Sequence, residues 1–313
     1  MKSRFRLIAA VIVMMSVAFV SCKKESTATT TTTTTDDATQ VSVQSDDQSR
    51  FSGEIDAVAN DANIVMENNA SFNGRVENVL GTLCNATTVT DTTGSTKKIT
   101  VTYNGLSCEQ NRFVTGVVVL SIAKEMHWKD AGAVLTVAVQ NLKITRVRDG
   151  KSITINGTKI ITNVTGGRLS DLSGSKVITH TITSAGMTVT FDDGTQRTWQ
   201  VAKQRVFTFS NGIVITTTGT HTDGTVSGIS EWGTNRFGNA FVATINQPLV
   251  VRKDCNFRLV SGQVTHSRLS ATIVVTFGLD ATGVATTCPA GSYYFKLVWT
   301  GTGGLTRTVI MPY

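Results

Sequence analysis

The sequence predicts an all-β fold: an antiparallel β-meander of roughly fourteen strands, as an open wrapped sheet, a barrel or a sandwich, with one N-terminal amphipathic helix. Three observations carry this reading. Apolar residues alternate with period two over most of the chain. Asn-Gly and Asp-Gly pairs punctuate the alternating runs. The composition is β-branched, with 51 Thr, 27 Gly and only 3 Pro among 313 residues. At 40% hydrophobic and 16% charged residues, the chain is too apolar to be disordered as a whole. Its few Glu and Leu residues exclude a coiled coil, and the aperiodic Gly with scarce Pro excludes collagen.

The chain opens with Lys2, Arg4 and Arg6, followed by an apolar run from Leu7 to Ser21. That run is short for a bilayer span, which needs about 20 residues, and fits the core of a signal peptide. Phe19-Val20-Ser21-Cys22 looks like a bacterial lipobox. The resemblance implies a signal peptide over 1–21 and lipidation of Cys22. Each buried methylene contributes about 0.8 kcal/mol, so several acyl chains hold a protein at a membrane where one does not. The competing reading, an uncleaved membrane anchor, exports the rest of the chain equally. Lys23 follows the Cys, and by the usual lipoprotein sorting pattern this implies the outer membrane, with either its periplasmic or its surface face open.

Residues 22–46 contain seven consecutive Thr, Thr29 to Thr35, and almost no large apolar side chains, so they predict a flexible tether. A single domain over 47–313 follows. Phe51, Ile55, Val58, Ala59, Ala62 and Val65 recur at helical spacing, and Asp46 and Asp47 suit a helix N-terminus. They predict a helix over 47–67 that packs on the sheet.

Strand periodicity then takes over. Ile99, Val101 and Tyr103 alternate with Thr100 and Thr102; Leu135, Val137 and Val139 alternate with Thr136, Ala138 and Gln140. The same holds for Met187, Val189 and Phe191, for Ile273, Val275 and Phe277, and for Tyr293, Phe295, Leu297 and Trp299. One face of each strand is expected to be buried and the other wet. Asn104-Gly105, Asp149-Gly150, Asp193-Gly194, Asn211-Gly212 and Asp223-Gly224 supply hairpin-turn chemistry. No alternation of strands with helices suggests a parallel sheet.

With Cys22 assigned to lipid, Cys84, Cys108, Cys255 and Cys288 remain, an even number in an exported chain. Of the three pairings, Cys84–Cys108 and Cys255–Cys288 are favoured, because both regions run from Cys through an alternating strand and a Gly-containing loop to Cys. Metal binding by closely spaced Cys pairs is not indicated, and no cofactor is implied.

Catalytic signatures are missing. His127, His180, His221 and His266 form no zinc-hydrolase motif, and His221-Thr222-Asp223-Gly224 reads as a strand entering a turn. Gly150-Lys151-Ser152 imitates the end of a phosphate-binding loop but lies in a hairpin, and no nucleophile elbow occurs. Glu231 beside Trp232 is the candidate ligand contact, an acid next to an aromatic platform suited to a sugar. Trp128, Trp199 and Trp299, like Trp232, also fit core positions. Arg75, Lys97, Arg112, Lys143, Arg168, Lys203, Arg236 and Arg307 form a scattered basic set with no dense run, so nucleic acid is not an expected partner and a solvated mixed-charge surface is expected.

The order of features resembles a group of Bacteroidota-type outer-membrane lipoproteins. The matching segments are Ser21-Cys22-Lys23-Lys24, the short helix, Lys98 to Gly105 before Cys108, Gly157 to Asn163, Gly233 to Gly238, and Pro248 to Val251 before Cys255. The resemblance implies membrane attachment through the lipid anchor and a β-rich domain, and no particular activity. The sequence thus points to a cell-envelope binding or scaffold protein with a glycan or an envelope protein as partner. A carbohydrate-binding or carbohydrate-hydrolysing protein and an envelope lipid carrier are the alternatives, the last requiring a large apolar cavity.

Overall fold

The computed structural model describes residues 33–73, 81–184, 186–268, 271–288, 291–301 and 304–313. The expected signal peptide over 1–21, Cys22 and the expected tether up to residue 32 lie outside the described residues. Residues 47–313 form one compact unit.

Among the described residues that unit holds an antiparallel sheet of sixteen strands. The first eight are β1 (Ala86–Asp91), β2 (Thr96–Leu106), β3 (Arg112–Ala123), β4 (Ala133–Arg146), β5 (Ser152–Asn163), β6 (Ile178–Ser184), β7 (Met187–Phe191) and β8 (Gln196–Phe209). Then come β9 (Ile213–Gly219), β10 (His221–Asp223), β11 (Val226–Thr234), β12 (Ala240–Arg252), β13 (Arg258–Arg268), β14 (Ala271–Leu279), β15 (Tyr294–Thr300) and β16 (Thr306–Pro312). Neighbours in sequence are neighbours in the sheet, with two substitutions in the pattern. β6 and β7 share one place between β5 and β8, each pairing half of those longer strands. β9 and β11 share the place between β8 and β12, with β10 folded back on β11. Among the described residues β1 and β16 each pair on one side only, so the sheet is open, not a closed barrel.

The shared places demand close backbone contact. A Cβ on Gly219, where β9 ends, would sit 2.0 Å from the Gly228 carbonyl oxygen of β11. A Cβ on Gly157 of β5, whose φ is +129°, would sit 2.9 Å from Cα of Met187, where β7 starts. Only glycine fits either position.

Four of the five expected turn pairs make turns. Gly150, Gly194 and Gly224 take φ of 69°, 79° and 57°, and Asn211 one of 54°. Asp149 and Asp193 accept the amides of Lys151 and Thr195 two residues on, which closes each turn. Asn104-Gly105 is the exception. Gly105 stays in the β2 ladder opposite Val114, and the turn to β3 falls beyond it, at 107–111. The Asn104 amide instead donates to the Asn85 carbonyl at 2.9 Å, because the Cys84–Cys108 bridge lays that segment alongside.

The helix α1 spans Thr33–Asn68. Its end falls within one residue of expectation, but it starts fourteen residues earlier than Asp47. Residues 33–46, read from sequence as tether, are therefore helical. No Gly or Pro interrupts the stretch before Gly53, and a helix already nucleated extends at small cost per residue. Asp47 consequently does not cap the helix; it sits inside it and pairs with Arg236.

The apolar stripe of α1 is the centre of the core. Phe51, Ile55, Val58, Ala59, Ala62, Val65 and Met66 are buried in one cluster with Ile99, Leu135, Val137, Ile161, Val189, Trp199 and Phe241. Phe51 lies 3.7 Å, centroid to centroid, from Trp199. Because side chains of β2, β3, β5, β8 and β11 all reach this one helix, the sheet curves around it, leaving Gly53 exposed on the open side. Trp128 and Trp199 are fully buried core residues. Outward Thr residues, such as Thr102, Thr188 and Thr272, keep the β-branched preference on the wet face.

Candidate functional site: the charged cradle of α1 and its crevice

The strands present basic side chains to the helix from positions that period two assigns to the interior. In β8, Arg197, Lys203 and Arg205 fall in the same phase as Trp199, Val201 and Phe207, and all are buried. In β5, Lys159 shares the phase of Ile153, Ile155 and Ile161, with no exposed surface at all. The helix answers with carboxylates and carbonyls. Arg205 meets Asp56 at 2.7 Å and donates to Asn60 at 3.1 Å. Lys203 bridges Asp56 at 3.6 Å and Glu231 at 2.5 Å. Lys159 donates to the Ile55 carbonyl at 2.9 Å. Arg236 holds Asp47 at 2.6 Å and stacks over Phe191, 3.6 Å from its centroid. Arg197 lies over the rings of Trp199 and Phe241, 3.6 and 4.4 Å from their centroids, and donates to Gln48. The expectation of a solvated mixed-charge surface is thus corrected for Lys97 and Lys203, which are buried, and for the half-buried Arg236: Lys203 pairs with Asp56 and Glu231, Arg236 with Asp47 and Asp193, and the Met126 carbonyl accepts from Lys97.

The network divides its protonation states by surroundings. Burial pushes the Asp56 carboxyl up, but Arg205, Lys203 and Lys159 outweigh it and hold the group below the usual range. Lys203 loses to burial and gains more from Asp56 and Glu231, so it stays charged. Lys159 has no such surplus. Burial drives its ammonium down to about 7, with Asp56 opposing and Arg205 and Lys203 reinforcing the drop. Its ordinary value is 10.5, so between pH 7 and 10.5 the unfolded chain carries a proton that the folded chain has released. Folding is therefore favoured as pH rises through this window. Urea unfolding should show about 2 kcal/mol more stability at pH 9 than at pH 7 from this group. In Lys159→Met that rise should disappear, and an unchanged rise would remove Lys159 as its source.

Glu231 and Trp232 separate across the strand. Glu231 points inward, 2% exposed, accepts from Gln48 and from Ser52 at 2.8 Å, and pairs with Lys203. Trp232 points outward and stacks on His221, centroids 4.0 Å apart and 14° from parallel. Adjacent residues on a strand face opposite ways, so the two do not form one acid-and-platform site. His221 lies on β10 and runs into the Asp223-Gly224 turn.

The four cysteines form Cys84–Cys108 and Cys255–Cys288, with Cα separations of 5.2 and 5.1 Å. Asp254 lies beside the second bridge, but its two sulfurs are bonded to each other and offer no thiolate to a metal.

The first bridge lines a crevice of about 340 Å³ between α1 and the ends of β2, β3 and β4. Its polar walls are Glu54, Asp61, Tyr103, Glu109 and Arg112, and its apolar floor includes Val58, Val114, Leu142 and Ile144. Arg112 meets Glu54 at 2.5 Å, and the Tyr103 hydroxyl donates to Asp61 Oδ2 at 2.9 Å. Burial raises both carboxyls despite these partners, and it raises Tyr103 well above its ordinary value. Phe257, from the turn entering β13, lines the same crevice. Of these crevice residues the sequence singled out Val58, Tyr103 and the cysteines as fold elements and Arg112 as one of the scattered basic residues, none of them as a site. The signal that identifies the cradle is the charge carried at interior phases of β5 and β8.

Comparison with known protein families, with curated proteins and with solved structures finds no match.

Proposed function

We propose that this chain is an exported cell-envelope lipoprotein, held at the outer membrane by lipid on Cys22, whose β-domain binds or scaffolds a partner. The observation that carries the binding-or-scaffold reading is the occupied interior of the sheet. The concave face, where a lipid carrier would need a large apolar cavity, is filled by α1 and its ion pairs. The remaining crevice is at the small end of the range of about 300–1,000 Å³ for small-molecule pockets, and its walls are charged. A hydrolase built on Glu231 is disfavoured, because that carboxylate already accepts from three side chains and has almost no exposed surface. The outward Trp232–His221 pair supports carbohydrate binding as the second reading.

The anchor is tested by replacing Cys22. The unaltered protein should incorporate labelled palmitate and partition with membranes and into the detergent phase. Cys22→Ser should lose the label and move to the aqueous phase. A Cys22→Ser protein that still carries label and partitions with membranes would exclude the lipid anchor.

A further inference from the structure

We propose that the crevice beside the Cys84–Cys108 bridge is a binding site for a small organic ammonium ion with an apolar body. The site is separate from the lipid anchor and does not depend on it. Charge balance is the first indication. The whole chain carries a formal net charge of +7, yet the crevice is lined by three carboxylates against one guanidinium. Arg112 and Glu54 pair at 2.5 Å; Asp61 feels Arg112 and Lys159 only at longer range, so Asp61 and Glu109 are the crevice carboxylates without a direct ion pair among the described residues.

Asp61 is the anchor point. Its Oδ2 accepts the Tyr103 hydroxyl, while its Oδ1 has no hydrogen-bond partner among the described residues. A carboxylate in that position gains a charge-assisted bond from an ammonium and is repelled by an anion. The apolar floor of Val58, Val114, Leu142 and Ile144 then covers the ligand's hydrocarbon. Phe257 completes the chemistry. It is 51% exposed and lines the crevice, and an aromatic ring there can attract a cation. Its backbone is left-handed, with φ of 53° directly after Asn256 at 58°, a conformation a bulky side chain seldom adopts. The preceding residue but one, Cys255, is bonded to Cys288, which ties down the turn that carries the ring. Carboxylate, apolar floor and aromatic face together match an ammonium ion on a short hydrocarbon body; a competing anion would have to use the buried Nε of Arg112, which has no hydrogen-bond partner among the described residues.

The test uses the intact protein and three probes of nearly one shape: benzylammonium, neutral benzyl alcohol and anionic benzoate, titrated at pH 7.5 by calorimetry and by NMR. Benzylammonium should bind at least tenfold more tightly than benzyl alcohol, and benzoate should bind weakest. Resonances of Tyr103 and Phe257 should shift. Asp61→Asn keeps an acceptor for Tyr103 and should weaken benzylammonium at least tenfold while leaving benzyl alcohol unchanged. Phe257→Ala should weaken it severalfold. If Asp61→Asn fails to fold, the probe ranking and the shifts in the unaltered protein decide alone. Equal affinity for the cation and the alcohol, preference for benzoate, shifts confined to other residues, or no binding of any probe would overturn the proposal. None of those results bears on the Cys22 anchor, which has its own test.

Discussion

Glu231→Ala lowers the unfolding free energy by about 3–5 kcal/mol, the range for breaking one half of a buried ion pair. The carboxylate joins β11 to β8 through Lys203 and to the helix through Gln48 and Ser52. Its removal strands an ammonium that is only 3% exposed, together with two helix donors. Lys203 keeps Asp56 at 3.6 Å, which softens the loss but does not replace a 2.5 Å contact. At a slope of roughly 2–3 kcal/mol per molar urea, the midpoint moves down by about 1–2 M. Glu231→Gln keeps one acceptor oxygen without the charge and turns its NH2 toward donors, so it recovers only part of the loss seen in Glu231→Ala. The double replacement Glu231→Leu with Lys203→Met removes both charges and recovers most of the loss, because an apolar pair needs no hydration to be given up. A midpoint within 0.3 M of the original for Glu231→Ala, by chemical denaturation, would show that the pair lies outside the cooperative core (a threshold of about 1 kcal/mol).

The second large effect concerns the helix as a whole. The part of α1 from Phe51 to Met66 and the curved sheet bury each other's apolar faces and pair each other's charges, so neither persists alone. Without the helix, Lys159, Arg197, Lys203 and Arg205 would face one another around an empty centre. Without the sheet, Asp56 would lose the cations that hold it ionised, and Phe51 would lose Trp199. The helix is therefore expected to open only when the sheet opens, despite lying at the N-terminal end of the domain, where fraying is the ordinary behaviour.

The alternating runs translated directly into the sheet. Ile99, Val101 and Tyr103 are buried and Thr102 exposed, as period two requires, and Leu135, Val137, Val139, Met187, Val189 and Phe191 follow the same rule. Even the disulfide pairing follows from two similar Cys-bounded hairpin regions. Phe295, Leu297 and Trp299 depart from it: β15 lies next to the free edge, where neither face is fully covered.

The cradle was illegible for a physical reason. Lys and Arg ordinarily mark the wet side of a strand, so Lys203 reads as a solvent contact, and nothing singles out Arg197 or Arg205. Their phase with Trp199 and Phe207 contradicts this, but phase alone cannot supply the partner. The partner is a helix more than 130 residues earlier in the chain, where Asp47 reads as a capping group and Asp56 is not singled out. Glu231 shows the same blindness from the other side. Beside Trp232 it suggested a shared surface, whereas the pleat sends the acid inward to Lys203 and the ring outward to His221. Long-range charge pairing leaves no periodic signature of its own.

Native-state amide hydrogen exchange addresses the central point, that α1 is the core around which the sheet is built. Amides of Ile55, Val58, Ala62 and Met66 should exchange with the same opening free energy as those of Ile161 in β5 and Val201 in β8, and with the same dependence on denaturant. If the helix amides exchange at far lower opening free energy, with no denaturant dependence, while the strands stay protected, then the helix is a detachable occupant of a sheet that stands without it, and α1 is not the core.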